Sequence, residues 1–420
     1  MFACPALVVL FGAMRHPGES ARRLLRCCIV TASRFAALCI IVVAALAPIP
    51  AHADPLSDFY TAPVPDIAAH DNGDIVRRLH VGPPLGEGLG LDIERILYRS
   101  TDTHGEPMVV SGYTMTPHAP WPGPGPRPVI AYAPGTSGMA DRCAGSAVLG
   151  TVGSSPAVLP LLLAGYSVAA TDYRGLGTPG GHTYLNRRDA GDALLDVARA
   201  GVGDTGAPVI LFGYSEGGHA AGSAAELAAS YAPELDIRGS YVGAPPADPS
   251  LNVADLDGTP LASALLYAVG GLVNAYPEHA AAIEARLNQR GRDTLDAAQQ
   301  WCTTDLVTTE TLQSTQLTAD GRPLLDHLTE KPAAELIAEN TVGFIAPSAP
   351  VILSHSITDD TVPIEQARTL RDRWTAAGFT DLTYIEYSVP QLPLPGANHA
   401  PGGLLAYADV LPWIADLLAP

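Results

Sequence analysis

Residues 209–218 read Val-Ile-Leu-Phe-Gly-Tyr-Ser-Glu-Gly-Gly, and Ser215 is the side chain best placed to do chemistry. A short apolar run, predicted as a strand, ends in Gly213-Tyr214-Ser215-Glu216-Gly217. An alanine-rich helical stretch, Gly218 to Tyr231, follows at once. Strand, Gly-x-Ser-x-Gly and helix in that order put the serine on a turn too tight for bulky neighbours. The turn lifts its hydroxyl to a helix N-terminus, where backbone N–H groups and the helix dipole stabilise a forming oxyanion. The chemistry that fits is nucleophilic attack on an acyl carbon.

Such a serine needs a base, and the base needs a carboxylate to orient it. After an elbow of this kind the chain order is Ser, Asp, His. Val351-Ile-Leu-Ser-His-Ser-Ile-Thr-Asp359-Asp360-Thr-Val-Pro ends a strand, turns through an acid and opens a helix. Asp359 is the expected orienter; Asp360 is its rival, since either can serve as orienter or helix cap. His399, in Gly396-Ala-Asn-His-Ala-Pro-Gly between the last strand and the final helix, is the expected base. His219 lies four residues past the nucleophile and reads as a packing residue. His355, at a strand end, reads as structural, and His182, in Gly180-Gly-His-Thr-Tyr, either meets substrate or packs. The oxyanion hole is expected to pair the Glu216 N–H with one from Pro134-Gly-Thr-Ser-Gly, with Thr136 the chosen donor. A plain turn is the alternative reading of that loop.

Strands are predicted at Ile93 to Arg99, Met108 to Met115, Pro128 to Ala133, Tyr166 to Asp172, Ile237 to Val242, Pro350 to Ser354 and Leu382 to Tyr387. Helical stretches, among them 156–164, 188–200, 362–377 and 404–418, alternate with most of them. That alternation implies an α/β fold, a mostly parallel sheet flanked by helices. Residues 261–342 are helical almost throughout, so 246–345 reads as a helical cap inserted between core segments 54–245 and 346–420. Residues 54–90, rich in Pro and Asp, read as a loosely structured arm.

Residues 1–53 read as an export signal. Basic residues precede an apolar run from Phe35 to Ala47, and Ala51-His-Ala53 offers a cleavage site. Met14 is an alternative start, Arg22-Arg23 a weak hint of twin-arginine export, and a retained anchor the rival reading. Without the five arginines and one glutamate of that segment, 19 basic and 42 acidic side chains remain, a net of −23. Such a polyanion repels phosphate backbones, so nucleic acid is not an expected partner. Four of the six cysteines lie in the signal. The remaining pair, Cys143 and Cys302, suggests one disulfide in an oxidising compartment, with two buried free thiols as the alternative. Neither cysteine has a Cys or His at metal-ligand spacing, and neither metal nor organic cofactor is implied.

Taken together, Ala133-Pro-Gly-Thr-Ser-Gly, Thr171-Asp-Tyr-Arg-Gly-Leu-Gly-Thr-Pro, Asp192-Ala-Leu-Leu-Asp-Val-Ala-Arg-Ala, Gly213-Tyr-Ser-Glu-Gly-Gly-His-Ala and the Asp359 and His399 loops resemble the lipase-A-like secretory lipase family of α/β-hydrolases. The resemblance spans most of residues 90–415. It implies an exported serine ester hydrolase, lipase or carboxylesterase, acting on acyl esters from triacylglycerols to simple esters. It also implies a helical cap with an acyl tunnel, and a disulfide from the oxyanion-loop region to that cap. A short-chain carboxylesterase, a prolyl aminopeptidase-like serine peptidase and a catalytically dead binding protein are the alternatives.

Overall fold

In a computed structural model the protein is described over residues 55–82, 90–149, 156–259, 261–306, 312–393 and 396–419. The segment expected to direct export, and its expected cleavage position, lie outside the described residues. Nine strands form one sheet among these residues: β1 (Ile75–His80), β2 (Leu91–Thr101), β3 (Pro107–Pro117), β4 (Val129–Ala133), β5 (Ser167–Thr171), β6 (Val209–Tyr214), β7 (Ile237–Gly243), β8 (Val351–Ser356) and β9 (Leu382–Tyr387). Their order is β1-β2-β3-β5-β4-β6-β7-β8-β9. The first three strands and the β3–β5 pair are antiparallel; every pairing from β5 to β9 is parallel. The parallel strands β4, β6 and β8 are buried along nearly their whole length and read as continuous apolar runs, as strands covered on both faces must.

Helices Arg187–Val202, Glu216–Tyr231 and Glu365–Ala376 cover one face, burying Leu194, Leu211, Leu353, Leu370 and Trp374 together. Helices Leu159–Leu163 and Ala400–Leu417 cover the other, around Ile130, Phe212, Tyr241, Ile352 and Ile414. β4 lies between β5 and β6, so the chain reverses its direction of travel across the sheet there. In open α/β sheets the crevice at such a switch point, beyond the strand C-termini, is where ligands bind. The loop after β4 and the turn after β6 both open into it.

Between β7 and β8 the chain runs through helices Pro249–Leu256, Leu265–Ala275, Pro277–Glu284, Gln289–Ala298, Thr303–Leu306, Leu324–Leu328 and Ala333–Glu339. These bury an apolar cluster of their own, including Leu265, Leu266, Tyr267, Leu295, Leu317 and Leu336. Met139, from the loop after β4, is part of that cluster and ties it to the sheet.

The loose arm expected over 54–90 needs correction. It contains a helix, Pro55–Thr61, and the edge strand β1, which pairs antiparallel with β2. β1 reads Ile-Val-Arg-Arg-Leu-His and is only half buried, so it lacks the apolar alternation of an interior strand. Arg77 bonds the Phe59 and Ala62 carbonyls, fastening the helix to the strand.

Candidate active site

β6 ends at Tyr214, and Glu216 is the first residue of the following helix. Ser215, alone between them, has φ 63° and ψ −126°, a region sparsely populated by non-glycine residues. Its N–H is held by the Gly243 carbonyl at 2.9 Å. Close approach explains the surrounding glycines. A Cβ at Gly213 would overlap the Gly217 carbonyl, one at Gly217 the Ala133 carbonyl, and one at Gly218 the Gly243 carbonyl. Only hydrogen at these positions lets β4, β6, β7 and the helix converge behind the serine.

Two loops bring the distant side chains in. Asp359 is buried in the turn after β8; its Oδ1 accepts from the Thr361 and Val362 N–H groups, both at 2.9 Å. Its Oδ2 lies 2.7 Å from His399 Nδ1. Burial works against the carboxylate charge, but hydrogen bonds from His355 and His399 overcome it and hold Asp359 well below the usual carboxylate range. His399 sits at the head of helix Ala400–Leu417. Tyr214, the residue before the elbow serine, donates its hydroxyl to the His399 carbonyl at 2.6 Å, and its ring lies 5.0 Å from the imidazole.

Asp360 faces away from the imidazole. Its carboxylate accepts from Gly396 N (2.9 Å), Asn398 N (3.2 Å) and Asn398 Nδ2 (2.8 Å), and so shapes the loop that carries His399.

Ser215 and His399 line one cavity of about 510 Å³, together with Gly135, Thr136, Val253, Leu256, Leu261 and Leu265. His399 Nε2 is buried without a hydrogen-bond partner among the described residues, so no Ser215–His399 hydrogen bond is formed in this state. Such bonds commonly tighten only when substrate is bound.

The loop after β4 is fixed from outside. Cys143 and Cys302 form a disulfide. The Met139 N–H bonds the Trp301 carbonyl at 2.9 Å, Thr303 N–H the Ser137 carbonyl at 2.8 Å, and Thr303 Oγ1 the Thr136 carbonyl at 2.7 Å. The Thr136 hydroxyl lies 3.0 Å from the Tyr184 hydroxyl.

The remaining histidines separate by partner. His219 is fully buried, bonds the Asn340 carbonyl at 3.0 Å, and has its pKa lowered to about 4, chiefly by burial and further by Arg187. It is uncharged at neutral pH and packs. His355 does more than end a strand. Its Nε2–H donates to the Val362 carbonyl at 2.8 Å and lies 3.3 Å from Asp359 Oδ2, the same oxygen that meets His399, so it supports the carboxylate charge. His182 is buried beneath the elbow, its Nε2 2.9 Å from Glu216 Oε1. Sequence reading missed this pair. The available signal was Glu216 itself, an ionisable residue at a place where close packing must bury its side chain and so demand a partner.

Sheet order, elbow and flanking helices define an α/β-hydrolase. Candida antarctica lipase A in its closed state shares this architecture, with 26% identity, a TM-score of 0.74 and coverage of 88% of this chain and 87% of that one. The rice cell wall degrading esterase of Xanthomonas oryzae matches in fold, with 20% identity, a TM-score of 0.68 and coverage of 82% and 98%.

The family model for secretory lipases matches residues 150–419, and the chain belongs to that family. It is an ester hydrolase of the lipase type. Lipase A of Moesziomyces aphidis is 28% identical over 357 residues, covering 79% of this chain and 75% of that protein. A Mycobacterium tuberculosis protein named a probable inactive lipase is 28% identical over 305 residues, covering 69% and 67%.

Proposed function

We propose that the protein is an exported hydrolase of acyl esters, including triacylglycerols, that works through an acyl-enzyme on Ser215. The observation that carries this reading is the 2.7 Å contact from Asp359 to His399 Nδ1, which leaves Nε2 buried and unpartnered at the cavity that Ser215 lines. A carboxylate can only accept, so Nδ1 keeps its proton and Nε2 presents a lone pair. His399 takes the Ser215 proton as Oγ attacks the ester carbonyl. The imidazolium is stabilised by Asp359, and the N–H groups of Glu216 and Thr136 hold the oxyanion. His399 then protonates the leaving alcohol, and the same base activates water to release the acid.

The cavity wall favours an ester with an apolar acyl chain. None of the described residues lining it is acidic, so it offers nothing to pair with the free amine of an aminopeptidase substrate. The helices between β7 and β8 supply most of the apolar wall and act as its cap. Export rests on the secretory character of the family and on relatives such as the secreted triacylglycerol lipases of Malassezia.

The test is labelling with a fluorophosphonate. Wild type reacts, Ser215→Ala does not, and turnover of tributyrin emulsions and graded p-nitrophenyl esters disappears with the label. A wild-type protein that fails to label places this chain beside its inactive relative; equal labelling of both proteins removes Ser215 as nucleophile.

A further inference from the structure

We propose that His182 is a positioning residue for the oxyanion hole, holding the Glu216 N–H through the Glu216 side chain; the proposal rests on the esterase reading of Ser215. The Glu216 side chain leaves from the Cα bonded to the N–H that the esterase reading makes an oxyanion donor. Anchoring its far end restricts rotation about the N–Cα bond and so aims the N–H. The anchor is His182 Nε2, 2.9 Å from Oε1, with both side chains almost fully buried.

The ring itself is fixed. Its Nδ1 lies 3.0 Å from the Arg174 carbonyl, which can only accept, so Nδ1 carries a proton. The Nε2–Oε1 contact then needs one more proton between the two groups. A bare carboxylate in that place would oppose an oxyanion at the neighbouring N–H.

The same imidazole braces the opposite wall of the hole. Tyr173 stacks on it with ring centroids 5.8 Å apart and donates its hydroxyl to the Pro134 carbonyl at 2.6 Å. Tyr184 meets it edge-on at 5.9 Å, and its hydroxyl contacts Thr136 Oγ1. One buried ring thus touches the supports of both Glu216 and the Pro134–Thr136 loop.

The experiment compares wild type, His182→Phe, Glu216→Gln and the double variant His182→Phe/Glu216→Leu. It reads kcat and KM on p-nitrophenyl butyrate, fluorophosphonate labelling rate and melting temperature. His182→Phe keeps a ring against Tyr173 but frees the Glu216 side chain; kcat should fall by about 10²-fold with KM changed less than about threefold. Glu216→Gln can re-form the tether by donating an amide N–H to Nε2, and should lose about tenfold less. The double variant leaves no buried unpaired charge, so its melting temperature should recover while kcat stays low. If kcat recovers with the melting temperature, or if His182→Phe turns over like wild type, the proposal is overturned and the pair serves stability alone. Should His182→Phe fail to fold, the double variant carries the test. A wild type without Ser215-dependent labelling sinks the esterase reading instead, a distinct outcome.

Discussion

Replacing Asp359 by asparagine should abolish most activity for a reason visible in the hydrogen bonds around it. Oδ1 accepts from the Thr361 and Val362 N–H groups, whereas Oδ2 accepts from His399 Nδ1. An asparagine at this position keeps its carbonyl oxygen on the two backbone donors, because an amide NH2 there would face two N–H groups. Its NH2 is thereby forced toward His399. Nδ1 must then accept, the imidazole proton moves to Nε2, and the edge facing the cavity can no longer take a proton from Ser215. The equivalent tautomer exchange in a serine protease costs about 10⁴ in kcat, which is about 5 kcal/mol of transition-state stabilisation. The NH2 would also meet the His355 Nε2–H, now 3.3 Å from Oδ2, so a fall in melting temperature should accompany the loss. Asp360→Asn is the control. It leaves the Asp359–His399 contact alone and weakens only the bracing of Gly396 and Asn398, so the loss should be at least 10²-fold smaller than for Asp359→Asn. The assay is initial-rate hydrolysis of p-nitrophenyl butyrate with fluorophosphonate labelling in parallel. Retention of more than about a tenth of wild-type kcat in Asp359→Asn, with Asp360→Asn the poorer enzyme, would refute the assignment of roles.

Two further outcomes follow from the frame around the site. The Cys143–Cys302 disulfide spans a sequence separation of 159. In the chain-entropy model the double alanine variant loses about 5 kcal/mol, so its urea midpoint should drop markedly; an unchanged midpoint contradicts this. Asp192, buried on helix Arg187–Val202, lies 3.0 Å from Arg188, too poorly aligned for a hydrogen bond, and burial pushes its carboxyl up to about 7 against the pull of Arg188. Its folded-state pKa is raised, so stability falls as pH climbs from about 4 to 7 and the cost persists above that. Asp192→Asn should therefore stabilise at pH ~8.5, with about 4 kcal/mol as the upper bound, and do little at pH ~4. Equal melting shifts at the two pH values would show that Asp192 titrates normally.

The parts of the fold that could be read from the chain are those whose physics is local. The elbow was legible because Gly213, Gly217 and Gly218 are each required by a backbone carbonyl a few ångströms away, and glycine spacing is written in the sequence. β4, β6 and β8 were legible because strands covered on both faces are apolar along their length. β1 was not, because an edge strand with two arginines owes its place to Phe59, Ala62 and pairing with β2 and not to an apolar alternation of its own. Asp359 and Asp360 could not be separated by type or spacing. What separates them is which carboxylate faces the imidazole and which faces Gly396 and Asn398.

The same long-range logic explains how His399 can be fixed although it stands so far from Ser215 in sequence. Tyr214 belongs to the elbow strand, yet its hydroxyl holds the His399 carbonyl. Asp360 belongs to the orienter's turn, yet it holds Gly396 and Asn398. Each of the two elements supporting the His399 loop therefore carries one member of the proposed triad and one clamp for the third. These two backbone clamps limit how far His399 can drift from the cavity that Ser215 also lines. Loosening a clamp would spread the imidazole over positions from which it cannot reach the serine, and kcat would fall with little change in KM.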